Sequence, residues 1–214
     1  MRDECERLFP GKGAQLSQLW RTKQLEYSWL LSLMNRYEDF WWVTREALIF
    51  ACKSMRLTFG TKQHEAQPET LMNEYLRLKA FPEVPAALAA LAERPLLILS
   101  NGTPRMLSAV VENAGLSKMF SALLSVDAVK IYKPSPLVYE LAVKETGLDK
   151  SAIGFVSSNA WDINGAASFG FQTFWVNRSS AVPEHLVVAP GVILAPNAIL
   201  RTLADLPAAA GLSS

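Results

Sequence analysis

Between residues 96 and 176 the sequence alternates short apolar runs with longer amphipathic segments, most of which close on glycine. No other feature constrains the fold as strongly. The apolar runs, at 96–99, 122–126, 153–157 and 173–176, are too short for helices and typical of buried parallel strands. The segments between them, at 104–114, 136–146 and 163–169, have helical character. This alternation predicts an α/β fold: a doubly wound, Rossmann-like parallel sheet with helices on both faces.

The first third of the chain is helical in pattern and offers no strand candidate before residue 95. Helices are predicted there at 14–34, 43–55 and 69–78, followed by a short helix at 86–93. Beyond the sheet we predict a weak strand at 191–194 and a helix at 199–206. The sequence therefore predicts a helical segment over 1–80 and an α/β core over 81–214.

Composition excludes several classes of protein. Half of the 214 residues are apolar, and 21 basic residues balance 20 acidic ones, so there is no basic face for nucleic acid. Two cysteines, Cys5 and Cys52, are too few for a disulfide scaffold. No apolar run is long enough to cross a bilayer, and the first residues do not resemble a signal peptide. We expect a soluble cytoplasmic protein without nucleic-acid or membrane partners.

Polar residues follow three successive predicted strands at the edge where α/β sheets bind their ligands. They are Ser100 and Asn101 after the first strand, Lys133 after the second, and Ser157, Asn159 and Asp162 after the third. Each group alone has a purely structural explanation: the first is typical of a turn, the second of a solvated surface lysine, and the third of a helix N-cap. Together they predict a site for carboxylate chemistry.

Four segments carry a more specific signal than spacing. They are 99–102 (Leu-Ser-Asn-Gly), 131–139 (Ile-Tyr-Lys-Pro-Ser-Pro-Leu-Val-Tyr), 155–162 (Phe-Val-Ser-Ser-Asn-Ala-Trp-Asp) and the helical stretch 19–37. Together they resemble the signatures of L-2-haloacid dehalogenases, the type II enzymes of the haloacid dehalogenase superfamily. The resemblance covers nearly the whole chain and implies a haloacid dehalogenase core with a helical cap inserted after its first strand.

The resemblance implies hydrolysis of a 2-haloacid to a 2-hydroxyacid and halide, with no cofactor and no metal. An aspartate at the end of the first core strand attacks the α-carbon, halide leaves with inversion, and water hydrolyses the resulting ester. By the same resemblance, Arg21 and Asn101 would hold the departing halide and Ser100 the substrate carboxylate. Lys133 would keep the aspartate ionised, since a nearby positive charge lowers the pKa of a carboxyl group.

The other implied roles are orientation of the nucleophile and the hydrolytic water (Ser157, Asn159, Asp162), an apolar pocket (Leu25, Phe40, Trp161) and support of the site (Tyr139). Core packing is the simpler reading of Phe40 and Trp161. In the cap, Thr22 stands where the family often has glutamine, which leaves the shape of the pocket open.

The nucleophilic aspartate of the family has no counterpart in this sequence. Met1 aligns with residues that follow the family's first strand and its Asp-x-Tyr-Gly-Thr-like turn, and Asp3 lies in a charged segment. The family pattern gives Asp127 and Asp162 structural roles. We therefore expect the chain as given to be inactive, and either to be less stable than a full-length relative or to pair its sheet across the gap.

Other functions remain open. One is a non-catalytic remnant that binds small carboxylates or halide. A superfamily phosphatase is disfavoured by Ser157 and Ser158, because phosphatases carry acidic residues at this strand end to hold magnesium. A dinucleotide-binding module is disfavoured because no Gly-x-Gly-x-x-Gly turn follows a strand. The aromatic cluster around Trp41 and Trp42 offers a partner surface, and the resemblance implies a homodimer.

Overall fold

A computed structural model of the protein describes residues 1–58, 68–184, 186–189 and 192–211. The chain forms two compact units. The helical unit comprises residues 1–79, 100–117 and 125–132, and the sheet unit comprises residues 80–99, 118–124 and 133–214. Within the described residues, no helix is both long and apolar enough to cross a membrane.

The helices and strands follow the predicted alternation. The helices are α1 (Arg2–Leu8), α2 (Gly13–Leu33), α3 (Phe40–Ser54), α4 (Pro68–Glu74), α5 (Val84–Ala89), α6 (Pro104–Asn113), α7 (Pro136–Thr146), α8 (Ala160–Phe169) and α9 (Leu206–Ala209). The strands are β1 (Leu97–Ser100), β2 (Ala122–Ser125), β3 (Gly154–Ser157), β4 (Gln172–Val176), β5 (Leu186–Ala189), β6 (Val192–Leu194) and β7 (Ala198–Leu200). The α/β fold is confirmed.

In the helical unit, α2 and α3 pack against each other around a buried core. The core contains Cys5, Phe9, Leu16, Trp20, Ala47, Leu48, Ala51, Cys52, Leu71 and Met72. The Trp20 indole donates a hydrogen bond of 2.7 Å to the Thr44 carbonyl oxygen and so ties the two helices together. Burial raises the pKa of the Cys5 thiol to about 11 and that of Cys52 to about 12, which keeps both thiols protonated and unreactive.

In the sheet unit, β3 pairs in parallel with β4, and β4 pairs in parallel with β7. Strands β1 and β2 form a separate two-stranded sheet, and β5 and β6 form an antiparallel pair. Among the described strands, β1 and β3 do not pair with each other. The alternative in which the sheet pairs across the gap is therefore wrong for this part of the chain.

Glycines end two helices of the sheet unit as predicted. Gly147 follows α7 with φ 67° and Gly170 follows α8 with φ 110°, and both adopt the left-handed conformation that favours glycine. These sharp endings let the chain turn directly into the segments leading to β3 and β4. Each strand can then present its carboxyl end beside the next helix.

One prediction near the C-terminal end of the chain is wrong, and one helix near the N-terminal end was not predicted. The predicted helix at 199–206 begins instead as β7, because Phe174, Trp175 and Val176 offer it a strand edge. The predicted helix is thereby reduced to a 3₁₀ turn, Leu203–Asp205, and the short α9. Helix α1 lies in a charged segment that was not assigned to a helix, and it buries Cys5 completely.

Candidate active site

Lys133 is the centre of the polar cluster in the sheet unit. Its side chain is only 6% exposed, and its Nζ donates to the Leu99 carbonyl oxygen at 2.8 Å and to Asp162 Oδ2 at 3.1 Å. Burial lowers the pKa of Lys133, and the neighbouring Asp162 carboxylate opposes that effect. The Lys133 ammonium thus lies at the carboxyl end of β1 and beside the Asp162 carboxylate, while its pairing with a nucleophilic aspartate stays a prediction.

Asp162 lies in the first turn of α8, where the helix dipole favours a negative charge. Besides Lys133, its carboxylate accepts hydrogen bonds from Tyr139 Oη at 2.9 Å and from Ser157 Oγ at 3.1 Å. Burial, followed by the Asp162 charge, raises the pKa of Tyr139 far above its ordinary value, so that its hydroxyl remains a donor. Both carboxylate oxygens of Asp162 are thus occupied.

The turn after β3 brings the third group of predicted residues together. Ser157 ends β3, and its Oγ accepts a hydrogen bond of 3.1 Å from the Asn159 amide while donating to Asp162. Asn159 occupies the N-cap position of α8, and the half-buried Trp161 follows in its first turn. Lys133, Tyr139, Ser157 and Asp162 therefore form one connected cluster, with Asn159 joined to it through Ser157.

The helical unit holds the other predicted residues. Ser100 Oγ accepts a hydrogen bond of 3.0 Å from the Gly102 amide, and Ser125 Oγ donates to the Gly102 carbonyl oxygen at 2.7 Å. Asn101 lies in this turn and is 9% exposed. A Cβ atom at Gly102 would lie 3.2 Å from Leu107 Cδ2, so a larger residue there would need Leu107 to shift by a few tenths of an ångström. The turn after the first strand is therefore tightly built.

Arg21 is exposed on α2, and its Nη1 donates to Gln24 Oε1 at 2.7 Å. Gln24 is fully buried and donates in turn to Thr44 Oγ1 at 2.7 Å. This support for Arg21 was not predicted from the sequence, although residues three apart on a helix, such as Arg21 and Gln24, are neighbours on its surface. Leu25 is half-buried on the same helix.

A second polar cluster in the helical unit was also missed. Tyr37 donates a hydrogen bond to Asp127, and Tyr132 donates to the Glu38 carbonyl oxygen at 2.6 Å. The Tyr132 ring centroid lies 5.2 Å from that of Tyr37 and 6.0 Å from that of Phe40. Phe40 is 8% exposed, so core packing accounts for its place in the helical unit as well as the predicted pocket does.

The cluster around Lys133 can stabilise an anion. A buried ammonium interacts strongly with a carboxylate because little water screens it, and the Ser157 and Tyr139 hydroxyls fix the geometry of the pair. Among the described residues, histidine, cysteine, aspartate and glutamate side chains do not gather in groups of three that could hold a metal ion.

Comparison with known proteins adds independent evidence. The sequence model of the haloacid dehalogenase-like hydrolases matches residues 8–170. The (S)-2-haloacid dehalogenase of Pseudomonas sp. (strain YL) is 51% identical over 188 residues, which cover 87% of this chain and 79% of the relative. Haloacetate dehalogenase H-2 of Moraxella sp. (strain B) is 48% identical over 190 residues, which cover 88% of this chain and 83% of the relative.

Solved structures agree with the sequence relatives. The crystal structure of an L-2-haloacid dehalogenase superposes with a TM-score of 0.91 at 42% identity, covering 100% of this chain and 91% of the other. The L-2-haloacid dehalogenase of Xanthobacter autotrophicus with covalently bound chloropropionic acid superposes with a TM-score of 0.84 at 38% identity. That match covers 100% of this chain and 92% of the other.

Proposed function

Because this chain belongs to the haloacid dehalogenase-like hydrolases, and within them to the (S)-2-haloacid dehalogenases, we propose that its site serves the hydrolysis of short 2-haloacids. The reaction converts a 2-haloacid and water to a 2-hydroxyacid, halide and a proton through an aspartyl ester. The buried Lys133–Asp162 pair carries this proposal, because it places a shielded ammonium where an attacking carboxylate needs a positive neighbour.

On this proposal Lys133 holds the attacking carboxylate ionised, so that its oxygen can form a bond to the α-carbon while the carbon–halogen bond breaks. Asp162, Ser157 and Tyr139 hold the ammonium in place, and this contact network supports their role as positioning residues. Asn159 and Ser157 orient the water that then attacks the ester carbonyl carbon and releases the hydroxyacid.

The remaining residues complete the proposed site. The Arg21 guanidinium and the Asn101 amide receive the halide, and Ser100 with the neighbouring backbone amides receives the substrate carboxylate. Leu25, Phe40 and Trp161 give the α-carbon apolar surroundings. The hydrogen bonds from Arg21 to Gln24 and from Gln24 to Thr44 support this role, since they limit the conformations of the guanidinium.

Asp127 and Asp162 are the aspartates that could replace the missing nucleophile, and both already accept hydrogen bonds from other side chains. Asp162 accepts from three side chains, and Asp127 accepts from Tyr37. We propose that neither attacks the substrate, and that the chain as given releases no halide until a carboxylate is supplied beside Lys133.

Halide release from L-2-chloropropionate tests the proposal. We would compare the chain as given with a version extended at its amino end by an apolar strand ending in aspartate, and with a matched version ending in asparagine. Release by the aspartate version alone is the expected result. Release by the chain as given would contradict the proposed inactivity and direct attention to D127N and D162N.

If none of the three proteins releases halide, the non-catalytic alternative is favoured. Titration of chloride and of small carboxylates would then test that alternative, with R21M as the matched variant.

We also propose that residues 1–80 serve as the cap and residues 81–214 as the core of a cytoplasmic homodimer. Exposed apolar side chains near the end of α2 support a dimer: Leu30, Leu33 and Met34 are 43%, 84% and 57% exposed. Two unpaired, buried cysteines suit a reducing compartment.

A further inference from the structure

Gln24 and Thr44 are polar side chains buried in the helical unit. Gln24 lies on α2 and Thr44 on α3, the two helices that enclose the apolar core of this unit, and both side chains are inaccessible to solvent. Burying an amide or a hydroxyl costs free energy unless hydrogen bonds satisfy it. The hydrogen bonds of these two residues therefore show what the pair does in the core.

The Thr44 hydroxyl presents only an acceptor to Gln24. A hydroxyl has a single hydrogen, and Thr44 donates it to the Phe40 carbonyl oxygen one turn earlier on α3. Thr44 Oγ1 lies 2.7 Å from Gln24 Nε2, where it can then only accept. The Trp20 indole holds the backbone of the same residue by donating to the Thr44 carbonyl oxygen. The position and the hydrogen-bonding direction of Thr44 are therefore both fixed.

The Gln24 amide has one orientation that satisfies its neighbours. Its nitrogen faces Thr44, so its oxygen faces Arg21, whose Nη1 donates to it at 2.7 Å. The reversed amide would bring two acceptors together at Thr44 and two donors together at Arg21. Burial raises the pKa of Tyr75, and the Arg21 charge and a hydrogen bond with Gln24 partly oppose that rise, as a donating amide N–H does.

An uncharged acceptor holds the Arg21 guanidinium without cancelling its charge. A carboxylate in the place of the Gln24 amide would form an ion pair with Arg21 and compete with any incoming anion. Gln24 and Thr44 are buried, whereas Arg21 is exposed on the same helix as Gln24. The fixed end of this hydrogen-bonded chain therefore lies in the core, and its charged end stays accessible to an anion.

We propose that Gln24 and Thr44 are positioning residues for an anion site at Arg21. Thr44 fixes the direction of the Gln24 amide, and Gln24 fixes the guanidinium while leaving its positive charge intact. The Thr44 hydroxyl also holds the backbone of Phe40, so one side chain orients the proposed halide site and anchors a residue of the proposed apolar pocket. That the anion is a halide rests on the proposed function, whereas the orientation of Gln24 rests on the hydrogen bonds alone.

Calorimetric titration of the full chain with sodium bromide at constant ionic strength tests the effect on anion binding. Q24E should weaken bromide binding by about tenfold or more, because its carboxylate pairs with the guanidinium. T44V should weaken binding about threefold to tenfold, because it removes the acceptor that orients the amide. T44S, which restores the hydroxyl, should recover most of the affinity lost in T44V. Q15E adds the same charge as Q24E at an exposed position of α2 and should bind bromide as the wild type does.

Nuclear magnetic resonance gives a readout that does not depend on bromide. In the wild type, the side-chain amide hydrogens of Gln24 should show nuclear Overhauser contacts with the Thr44 methyl group, a measurement that needs no variant. Rotation of the Arg21 guanidinium about its Nε–Cζ bond should be slow in the wild type and in T44S, and faster in T44V. R21M identifies the Arg21 signal. A purely structural role of Thr44 would lower the stability of T44V without changing this rotation.

The outcomes separate the positioning roles from the proposed function. Equal guanidinium rotation in the wild type and T44V would overturn the positioning roles, whether or not bromide binds. Bromide binding that Q24E and T44V leave unchanged would also overturn them, and the proposed function would stand. Slow rotation that depends on the Thr44 hydroxyl, in a chain that binds no bromide, would support the positioning roles and count against the proposed function alone.

Discussion

Lys133 and Asp162 depend on each other because both are buried. Each side chain is only 6% exposed, and the two charges lie 3.1 Å apart. Removing one member leaves the other charge without its neutralising partner, which costs much more than replacing both by apolar groups. The contribution of each residue to the free energy of unfolding therefore depends on whether the other is present.

Replacing Lys133 by methionine should lower the free energy of unfolding by about 3–5 kcal/mol, because it strands the Asp162 carboxylate in the core. Urea unfolding followed by circular dichroism measures the change. K118M alters an exposed lysine and should change stability by less than about 0.5 kcal/mol. The combined K133M/D162L variant should have a higher free energy of unfolding than K133M. Equal free energies of unfolding for the two variants would contradict the mutual dependence of Lys133 and Asp162.

Glu83 makes stability depend on pH. The Arg178 guanidinium, 2.8 Å away, lowers the pKa of the Glu83 carboxyl from 4.5 to about 2. A carboxyl whose pKa is lower in the folded state stabilises the fold above its unfolded pKa and loses that contribution as pH falls. Between about pH 4.5 and 2, the wild type should therefore lose more stability than E83Q does. Parallel pH curves for the two proteins would refute this.

Helices α7 and α8 set the geometry of the Lys133 cluster through their close packing. Tyr139 lies on α7 and Asp162 on α8, so the hydrogen bond between them depends on how closely the helices approach. Gly165 permits that approach, because a Cβ atom there would lie 2.6 Å from Pro134 Cβ and would also overlap the Tyr139 hydroxyl. A single glycine thus controls the spacing of two elements that carry site residues.

G165A should push α8 away from α7 and destabilise the fold by about 1–3 kcal/mol. It should also weaken the Tyr139–Asp162 hydrogen bond, so that Y139F costs less stability in the G165A background than in the wild type. S168A, at an exposed position of the same helix, is the matched control and should leave both quantities unchanged. Wild-type stability in G165A would show that the helices have room to adjust.

The molecule as a whole contains a divided sheet and an exposed apolar end of α2. Among the described strands β1 and β3 do not pair, and an apolar cavity lies between them. The reduced stability expected from the sequence stays a prediction. At the end of α2, apolar side chains are exposed to solvent. A symmetric contact with a second copy of the chain would bury them without changing the fold.

Changing Leu33 to lysine should disrupt the proposed homodimer, because it places a charge on a residue that is 84% exposed and would be buried between the two copies. Sedimentation velocity should give a dimer for the wild type and a monomer for L33K. L137K, at another exposed leucine in the sheet unit, should remain dimeric. A monomeric wild type would overturn the homodimer.

Tertiary contacts decided the features that the sequence analysis missed or assigned wrongly. Residues 198–200 became a strand because the edge of β4 was available to them, and no local pattern reports such an edge. The support of Arg21 by Gln24 and Thr44 joins residues twenty positions apart. The contact of Lys133 with Leu99 joins residues thirty-four positions apart. Such pairs depend on packing, which single-sequence patterns do not encode.

The sequence alone determined the order of strands and helices from 97 to 176 and the residue types at the strand ends. It could do so because hydrophobic periodicity and helix-ending glycines act over a few neighbouring residues. Only the tertiary structure decided that Lys133, Tyr139, Ser157 and Asp162 form one buried network, and that the sheet is divided between β1 and β3. The physical reason is that burial and strand pairing are set by segments that meet only when the chain folds.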